Sequence, residues 1–465
     1  MTPAAGELAI VLHSHQPYVE GFGVWPFGEE WLWESIATSY LPLLDILDAG
    51  GRRGPITLSL TPVLCDQLEA PGAMARCARF LAGTRVETHR RDIEAAAGDR
   101  GVVAALEHSA SRYAWARARL AQLRGDLLGA LRRHAAWTSS ATHAVLPLLA
   151  TDAGVRLQLG AGIASHRRRF GSDAWRGGLW LPECAHAPWL DRLLEASGVR
   201  AVCVDLTDVL PPQEHLRPLR SPAGPLLVPI DRATIELVWG AGGYPADPRY
   251  RNYHAFTRHR HRAWSNDSAP YDPARAARAA REHAADFVAR VRERLAAGGL
   301  CVFAVDTELL GDWWHEGPQW LAAVLDEADL QGLAIAPLDD ALARHEPVAA
   351  PADLPATSWG TPRDLSTWSV PPVAGMAWAA RDAELRTVAA ARAGSASPRA
   401  VRELLALQSS DWAFLVSRDL AEPYGRERAS GHRAALDAAL DAPDAHDPFV
   451  RNLAPHASPA ALSEP

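Results

Sequence analysis

Leu8-Ala-Ile-Val-Leu-His-Ser-His15 is a short apolar run that ends in polar residues. Such a run reads as a strand buried on both faces, as in a parallel sheet, that delivers polar side chains at its carboxyl end. Four more stretches share the pattern: Ile56-Thr-Leu-Ser-Leu60, Gly178-Leu-Trp-Leu181, Ala201-Val-Cys-Val204 and Leu300-Cys-Val-Phe-Ala-Val305. Each is followed by polar or acidic residues, and helical patterns lie between several of them. The alternation predicts an α/β protein built on a parallel barrel, whose functional groups gather at the carboxyl ends of the strands.

Two blocks interrupt it. Residues 66–136 are rich in Ala, Arg and Leu with helical periodicity and no strand signal, which predicts an inserted helical subdomain. A Pro- and Trp-containing irregular segment between Pro347 and Pro372 precedes a second helical block from Arg381 to Ala442. The expected division is a catalytic barrel over 1–347, a C-terminal helical domain over 348–450 that completes the cleft, and a flexible tail over 451–465.

Composition removes several classes of function. The chain has 465 residues, 48% hydrophobic and 22% charged, enough for a large catalytic domain with a smaller one attached. A formal charge of -8 supplies no basic field for a phosphate backbone, so no nucleic acid partner is expected. No signal-peptide pattern opens the chain and no apolar run is long enough to span a bilayer, so no membrane partner is expected and a cytoplasmic location is. The five cysteines, Cys65, Cys77, Cys184, Cys203 and Cys301, never pair as CxxC and read as reduced thiols. All 47 basic residues are arginine. Without a lysine there is no Schiff base and no Walker-type phosphate loop.

The chemistry points to carboxylates. Glu183, in Gly178-Leu-Trp-Leu-Pro-Glu-Cys-Ala-His186, follows one apolar strand, and Asp306, in Phe303-Ala-Val-Asp-Thr-Glu-Leu-Leu-Gly-Asp-Trp-Trp-His-Glu-Gly317, ends another. Two carboxyls at strand ends suit glycoside cleavage, one attacking the anomeric carbon while the other protonates the leaving oxygen. Seventeen tryptophans accompany them, several in polar contexts: Trp239, Trp313-Trp314, and Trp412 beside Asp411. Indole faces stack on sugar rings, although any one Trp is more often core. His13 and His15 share a strand face, which also permits a metal-dependent amidohydrolase or deacetylase with His143, His186 or Asp306 completing the shell.

At these residues the sequence resembles glycoside hydrolase family 57 and, within it, the 1,4-α-glucan branching group. His13-Ser-His-Gln-Pro-Tyr18 with Glu30-Trp-Leu-Trp-Glu34 resembles the opening region, and Ala141-Thr-His-Ala-Val-Leu-Pro147 the second. Gly178–Cys184 resembles the nucleophile region, and Asp306-Thr-Glu-Leu with Trp313-Trp314 the acid/base region. Val238-Trp239 and Ser410-Asp-Trp-Ala-Phe414 with His432 resemble further segments. The resemblance implies an incomplete (β/α)7 barrel with an inserted helical subdomain and a C-terminal α-helical domain, and neither a metal nor another cofactor. It implies Glu183 as nucleophile and Asp306 as general acid/base, acting on an α-1,4-glucan donor with a glucan or water as acceptor. His13, His15, His143, Trp239, Trp314, Asp411 and Trp412 are the implied substrate-binding residues. The oligomeric state is not read from the sequence; a monomer is the expectation.

Two departures qualify the reading. Gly311-Asp-Trp-Trp314 stands where the family usually has Gly-His-Trp-Trp, placing Asp312 in a histidine position. The stretch from Asp208 to Glu236 is short, proline-rich and lacks the tyrosine of a long lid loop, which favours water over a sugar acceptor and makes an α-amylase-like hydrolase the second expectation. A non-catalytic glucan-binding protein is a further one.

Overall fold

The computed structural model describes residues 6–24, 27–49, 54–442 and 450–463. Its centre is a sheet of ten strands: β1 (Glu7–Ser14), β2 (Ile56–Leu60), β3 (Ala135–Ser139), β4 (Gly178–Trp180), β5 (Ala201–Val204), β6 (Leu219–Arg220), β7 (Leu226–Pro229), β8 (Leu300–Asp306), β9 (Ala334–Ile335) and β10 (Val348–Ala349). The order is β10-β6-β7-β5-β4-β3-β2-β1-β8, with β9 added beside β1. From β7 to β8 the path is parallel throughout, and only β6 runs antiparallel to β7. Seven parallel strands curl into a barrel left open between β7 and β8. The opening is bridged where Asp231 N, just past β7, donates to Val302 O at 2.8 Å.

The strands anticipated from apolar runs lie where expected. Two of the seven were not anticipated: β3 reads Ala-Ala-Trp-Thr-Ser and β7 Leu-Leu-Val-Pro, both too short or too weakly β-forming to stand out. β1 is almost wholly buried and pairs on both sides, its His13 lying opposite Ser59 of β2 and Asp306 of β8. That register brings the ends of three strands to one rim. The stretch after Asp208 forms a short turn, the β6 and β7 edge and the start of the helix Arg232–Trp239.

Between β2 and β3 the chain is helical, its longest element Arg100–Gln122 capped by the Asp99 side chain. After β10 an irregular segment leads to four helices, Pro371–Arg392, Pro398–Leu407, Ser410–Ser417 and Tyr424–Asp441, which share their own apolar cluster around Leu404, Trp412 and Leu436. The final residues are not a flexible tail as far as they are described. Leu453 and Leu462 are buried in that cluster, Ala454 N donates to Asp66 at 2.7 Å, and Arg402 Nε donates to Leu453 O at 2.7 Å. Two leucines in a polar, proline-containing stretch suffice to dock it. All five cysteines are buried and unpaired. Among the described residues no helix is long and apolar enough to cross a membrane.

Gly311 turns the chain back after β8. Its φ is +123°, and a Cβ there would lie 2.0 Å from the Thr38 carbonyl oxygen. Gly311→Ala is therefore expected to lower stability by about 2–4 kcal/mol, combining a strained backbone with a clash against main chain. Urea unfolding measures it; a change within error would show that the turn relaxes freely.

Candidate functional site

Glu183 stands at the carboxyl end of β4 in a left-handed conformation, φ 63°, followed by Cys184 at φ 48°. His143, in the loop after β3, is left-handed too, at φ 58°. Non-glycine residues pay for this geometry, and its occurrence at these three positions requires surroundings that hold them in place. Those surroundings are specific. Trp359 N donates to Glu183 O at 2.9 Å, and Trp359 Nε1 donates to Glu183 Oε2 at 3.0 Å, so one residue holds both backbone and carboxylate. Trp359 is held in turn by Arg232 Nη2, which donates to its carbonyl at 3.1 Å and is ion-paired with buried Asp205.

The second carboxylate oxygen faces a relay. Ser410 Oγ donates to Glu183 Oε1 at 3.4 Å, His143 Nδ1 lies 2.9 Å from Ser410 Oγ, His13 Nε2 lies 3.0 Å from His143 Nε2, and Ser59 Oγ lies 3.3 Å from His13 Nδ1. One set of tautomers satisfies every link: Ser59 donates to His13, His13 to His143, His143 to Ser410, and Ser410 to the carboxylate. Burial pushes both imidazoles well below their ordinary value, so they remain neutral and can take these tautomers. His15 stacks on His143 with centroids 3.9 Å apart and meets Asp411 at 3.0 Å through Nε2.

Asp306 ends β8 on the same rim. It is exposed to solvent, and among the described residues no hydrogen-bond donor reaches its carboxyl. Its pKa is pushed up to about 7, first by desolvation and then by the nearby charge of Glu183, with His15 opposing. Glu183 is also raised by burial, but Trp359 and Ser410 stabilise its charged form. One carboxyl is given donors and the other, which feels its charge, is given none, so the charged form is favoured at Glu183 relative to Asp306. Glu308, next to this rim, is raised well above its usual range by burial and by Asp306; it accepts from His15 N at 3.1 Å and from the Tyr40 hydroxyl.

Residues 135–351 match the model of glycosyl hydrolase family 57, and residues 376–453 match that of the C-terminal region of 1,4-alpha-glucan branching enzymes. A probable 1,4-alpha-glucan branching enzyme of Mycobacterium tuberculosis is 33% identical over 93% of this chain and 91% of its own. A 1,4-alpha-glucan branching enzyme of Thermococcus kodakarensis is 31% identical over 92% of this chain and 72% of its own. The chain belongs to glycosyl hydrolase family 57. Among solved structures, a family 57 branching enzyme from Pyrococcus horikoshii superposes with a TM-score of 0.86 at 31% identity, covering 92% of this chain and 88% of that one. An α-amylase from Thermotoga maritima, 22% identical, shares the fold with a TM-score of 0.83 over 99% of both chains.

In this family 57 chain the structure links Glu183 with His13 and His143 and pairs His15 with Asp411, Asp306 ends β8 on the same rim, and Trp239 is 56% exposed. Two tryptophans expected in the cleft are elsewhere. Trp412 is 1% exposed in the core of the helical block, its Nε1 donating to Ala406 O at 2.8 Å. It follows Asp411 in the helix Ser410–Ser417, so when Asp411 points at His15 its neighbour is turned about 100° away. Trp314 is 2% exposed, packed between Tyr250 and Trp320, while Trp313 is 45% exposed and stacked on Tyr253. His186 leaves the rim for a buried pair with Asp191. Among the described residues no three His, Cys, Asp or Glu groups are arranged to hold a metal, because the site histidines stack face to face and spend their nitrogens on neighbours. Trp359 and Ser410 were not among the anticipated site residues; Trp359 carries no signal beyond a Trp in a polar run, and Ser410 lay inside the Ser-Asp-Trp segment without a role.

Trp359→Phe keeps the ring and removes the donor to Glu183. A hydrogen bond to a charged group contributes about 1.5–3 kcal/mol, so kcat is expected to fall roughly 10- to 100-fold. The acid limb of the kcat profile should move to higher pH, since the carboxylate loses a group that favours its ionised form. An unmoved acid limb would mean that the bond is not felt by Glu183. Asp306→Asn should raise the thermal midpoint. The raised carboxyl costs the fold most above pH 7, and the cost fades as pH falls toward the ordinary aspartate value, so the gain should shrink in the same direction. Melting curves from pH 4 to 8.5 test the trend.

Proposed function

We propose that this chain is a retaining 1,4-α-glucan branching enzyme, cleaving α-1,4 linkages in a glycogen-like polysaccharide and re-forming the cut chain as an α-1,6 branch, with Glu183 as nucleophile and Asp306 as general acid/base. The observation that carries the proposal is the pairing at the rim of a half-buried carboxylate stabilised by Trp359 and Ser410 with a carboxyl raised to about 7 that feels its charge. The first can attack an anomeric carbon as an anion. The second can deliver its proton to the leaving oxygen and later withdraw one from the acceptor hydroxyl. Loss of the negative charge on Glu183 in the covalent intermediate removes the chief charge opposing Asp306 ionisation, which prepares Asp306 to act as the base.

Branching rather than hydrolysis is supported by the likeness to branching enzymes over nearly the whole chain and by the match of residues 376–453. His15, His143 and Asp411 are proposed to meet donor sugar hydroxyls, His13 to support His143 from below, and Trp239 with Trp313 to carry chains toward the site. One observation favours a share of hydrolysis. The Asp208–Glu236 stretch is spent on sheet edge and helix, leaving no long loop there to close over an intermediate.

Incubation with amylose, with reducing ends counted before and after debranching, tests the reaction. New ends that appear only after debranching are expected to predominate; ends released directly in equal or greater amount would replace the proposal with an amylase. Glu183→Gln should lower turnover by at least about 10⁴-fold. Activity should fall on the alkaline side with a midpoint near 7, as Asp306 loses the proton it must donate. A profile flat through pH 8 would remove Asp306 from that role.

A further inference from the structure

Beyond the rim, the loop that follows Asp306 forms one wall of a second cavity. Asp312, Trp313 and His315 line it from this loop, Arg112 from the helix Arg100–Gln122, and Arg251 and Arg262 from the irregular segment before the helix Pro273–Arg294. Of its lining, the catalytic proposal uses only Trp313. Its electrostatics are unusual, because no carboxylate lies within ion-pair distance of any of the three guanidiniums among the described residues, although the chain pairs many other arginines. The three converge on the same space. Burial first, and then the charges of Arg251, Arg112 and Arg262, depress the basicity of His315, and Arg251 also opposes the charge of Arg112. Glu316 and Asp312 offset part of this charge from outside contact distance.

Each guanidinium rests on an aromatic ring: Arg112 over Trp115 at 4.8 Å, Arg251 over Tyr271 at 4.4 Å and Arg262 over Tyr253 at 4.1 Å. Stacking fixes the plane of the group and leaves its edge donors free. Arg262 spends Nε on the Tyr253 carbonyl at 3.0 Å, whereas Arg251 Nε and Nη2 are buried with no partner. Buried cationic donors without acceptors are costly in a folded protein and mark a place where an acceptor belongs. A sugar platform stands beside them. Trp313 stacks on Tyr253 with centroids 4.8 Å apart and remains exposed, with exposed Trp239 edge-on at 6.4 Å.

We propose that this cavity binds the phosphate monoester of a glucosyl unit, the ester oxygens taken by Arg112, Arg251 and Arg262 and the pyranose face laid against Trp313. A phosphate presents several strong acceptors at once and matches converging guanidinium edges better than a neutral hydroxyl does. The glucosyl half rests on the α-glucan reading; the phosphate half does not. The ester belongs either to a phosphorylated position on a glucan chain or to a free hexose phosphate, and the two sources share this chemistry.

Titration calorimetry on the full chain tests it, with inorganic phosphate, glucose 6-phosphate, and a maltooligosaccharide with and without a 6-phosphate. Both esters are expected to bind with one site per chain, and Arg112→Gln and Arg262→Gln should each weaken them about tenfold. Trp313→Ala should weaken glucose 6-phosphate and leave inorganic phosphate unchanged. Tighter binding of the phosphorylated chain identifies a glucan substituent, and equal or tighter binding of the free ester identifies a hexose phosphate ligand. No saturable binding of either ester, binding unmoved by both arginine variants, or equal affinity for the unphosphorylated chain through the same residues would overturn the proposal. Should the variants not fold, the wild-type protein crystallised with tungstate decides, since absence of the anion between the three guanidiniums also overturns it. Turnover of amylose is not among these readouts. A chain that binds the ester without branching amylose fails only the catalytic reading, and the converse fails only this one.

Discussion

The hydrogen-bond relay that runs from Ser59 through His13, His143 and Ser410 to Glu183 is the constraint on which the site depends. Its members come from β2, β1, the loop after β3, the first turn of a C-terminal helix and the end of β4, so five separate parts of the chain must be in register before it closes. A relay with every donor directed the same way is strengthened by polarisation and fails as a unit. It also offsets the strain of left-handed backbone at His143 and Glu183, which costs on the order of 1–3 kcal/mol per residue. Trp359 completes the enclosure from the opposite side, and Ser410 N adds a bond to His143 O at 3.2 Å. The helical block is therefore a wall of the site rather than an appendage.

The donors around Glu183 are neutral, and that choice has a consequence for the chemistry. This chain has only arginine as a permanent cation, and a guanidinium cannot give up its charge. Placed beside the two carboxyls, it would hold both ionised. No arginine is among the main influences on Glu183 or Asp306; desolvation comes first for both, followed by the Trp359 bond and the charge of Asp411 at Glu183 and by the charge of Glu183 at Asp306, with His15 acting on both. Arginines are instead committed to distant ion pairs, to the Trp359 carbonyl and to the cavity beyond Trp313.

The barrel was legible because burial on both faces writes a strand as an uninterrupted apolar run, and the carboxyls were legible because they follow such runs at once. β3 and β7 were not, since Ala, Ser and Pro carry little β signal when the pairing partner supplies the burial. Within the site, the difficulty was rotational. Asp411 and Trp412 are adjacent in sequence, as are Trp313 and Trp314, and only the docking of each segment decides which of the two meets the cleft. Trp359 posed another problem, because it reaches Glu183 from a segment with no periodic pattern, and irregular backbone leaves no trace of its direction in residue order. The last leucines misled for a related reason: two apolar side chains are too few to register as an element but enough to seal a groove already formed.

These placements bear on how an intermediate would be shielded. A moving lid excludes water by closing after substrate enters, at the cost of ordering a loop in each cycle. Here the stretch that could have carried one is fixed in the sheet edge and in the helix that holds Arg232 against Trp359. Shielding must come from rigid walls: Trp359 on one side, His15 with Asp411 on the other, and whatever chain occupies the exposed aromatics. Rigid walls exclude water only when the groove is filled. On the proposed mechanism the substrate polymer itself would then take the place of a lid, so that long chains would bias the covalent intermediate toward transfer and short chains would leave it open to water.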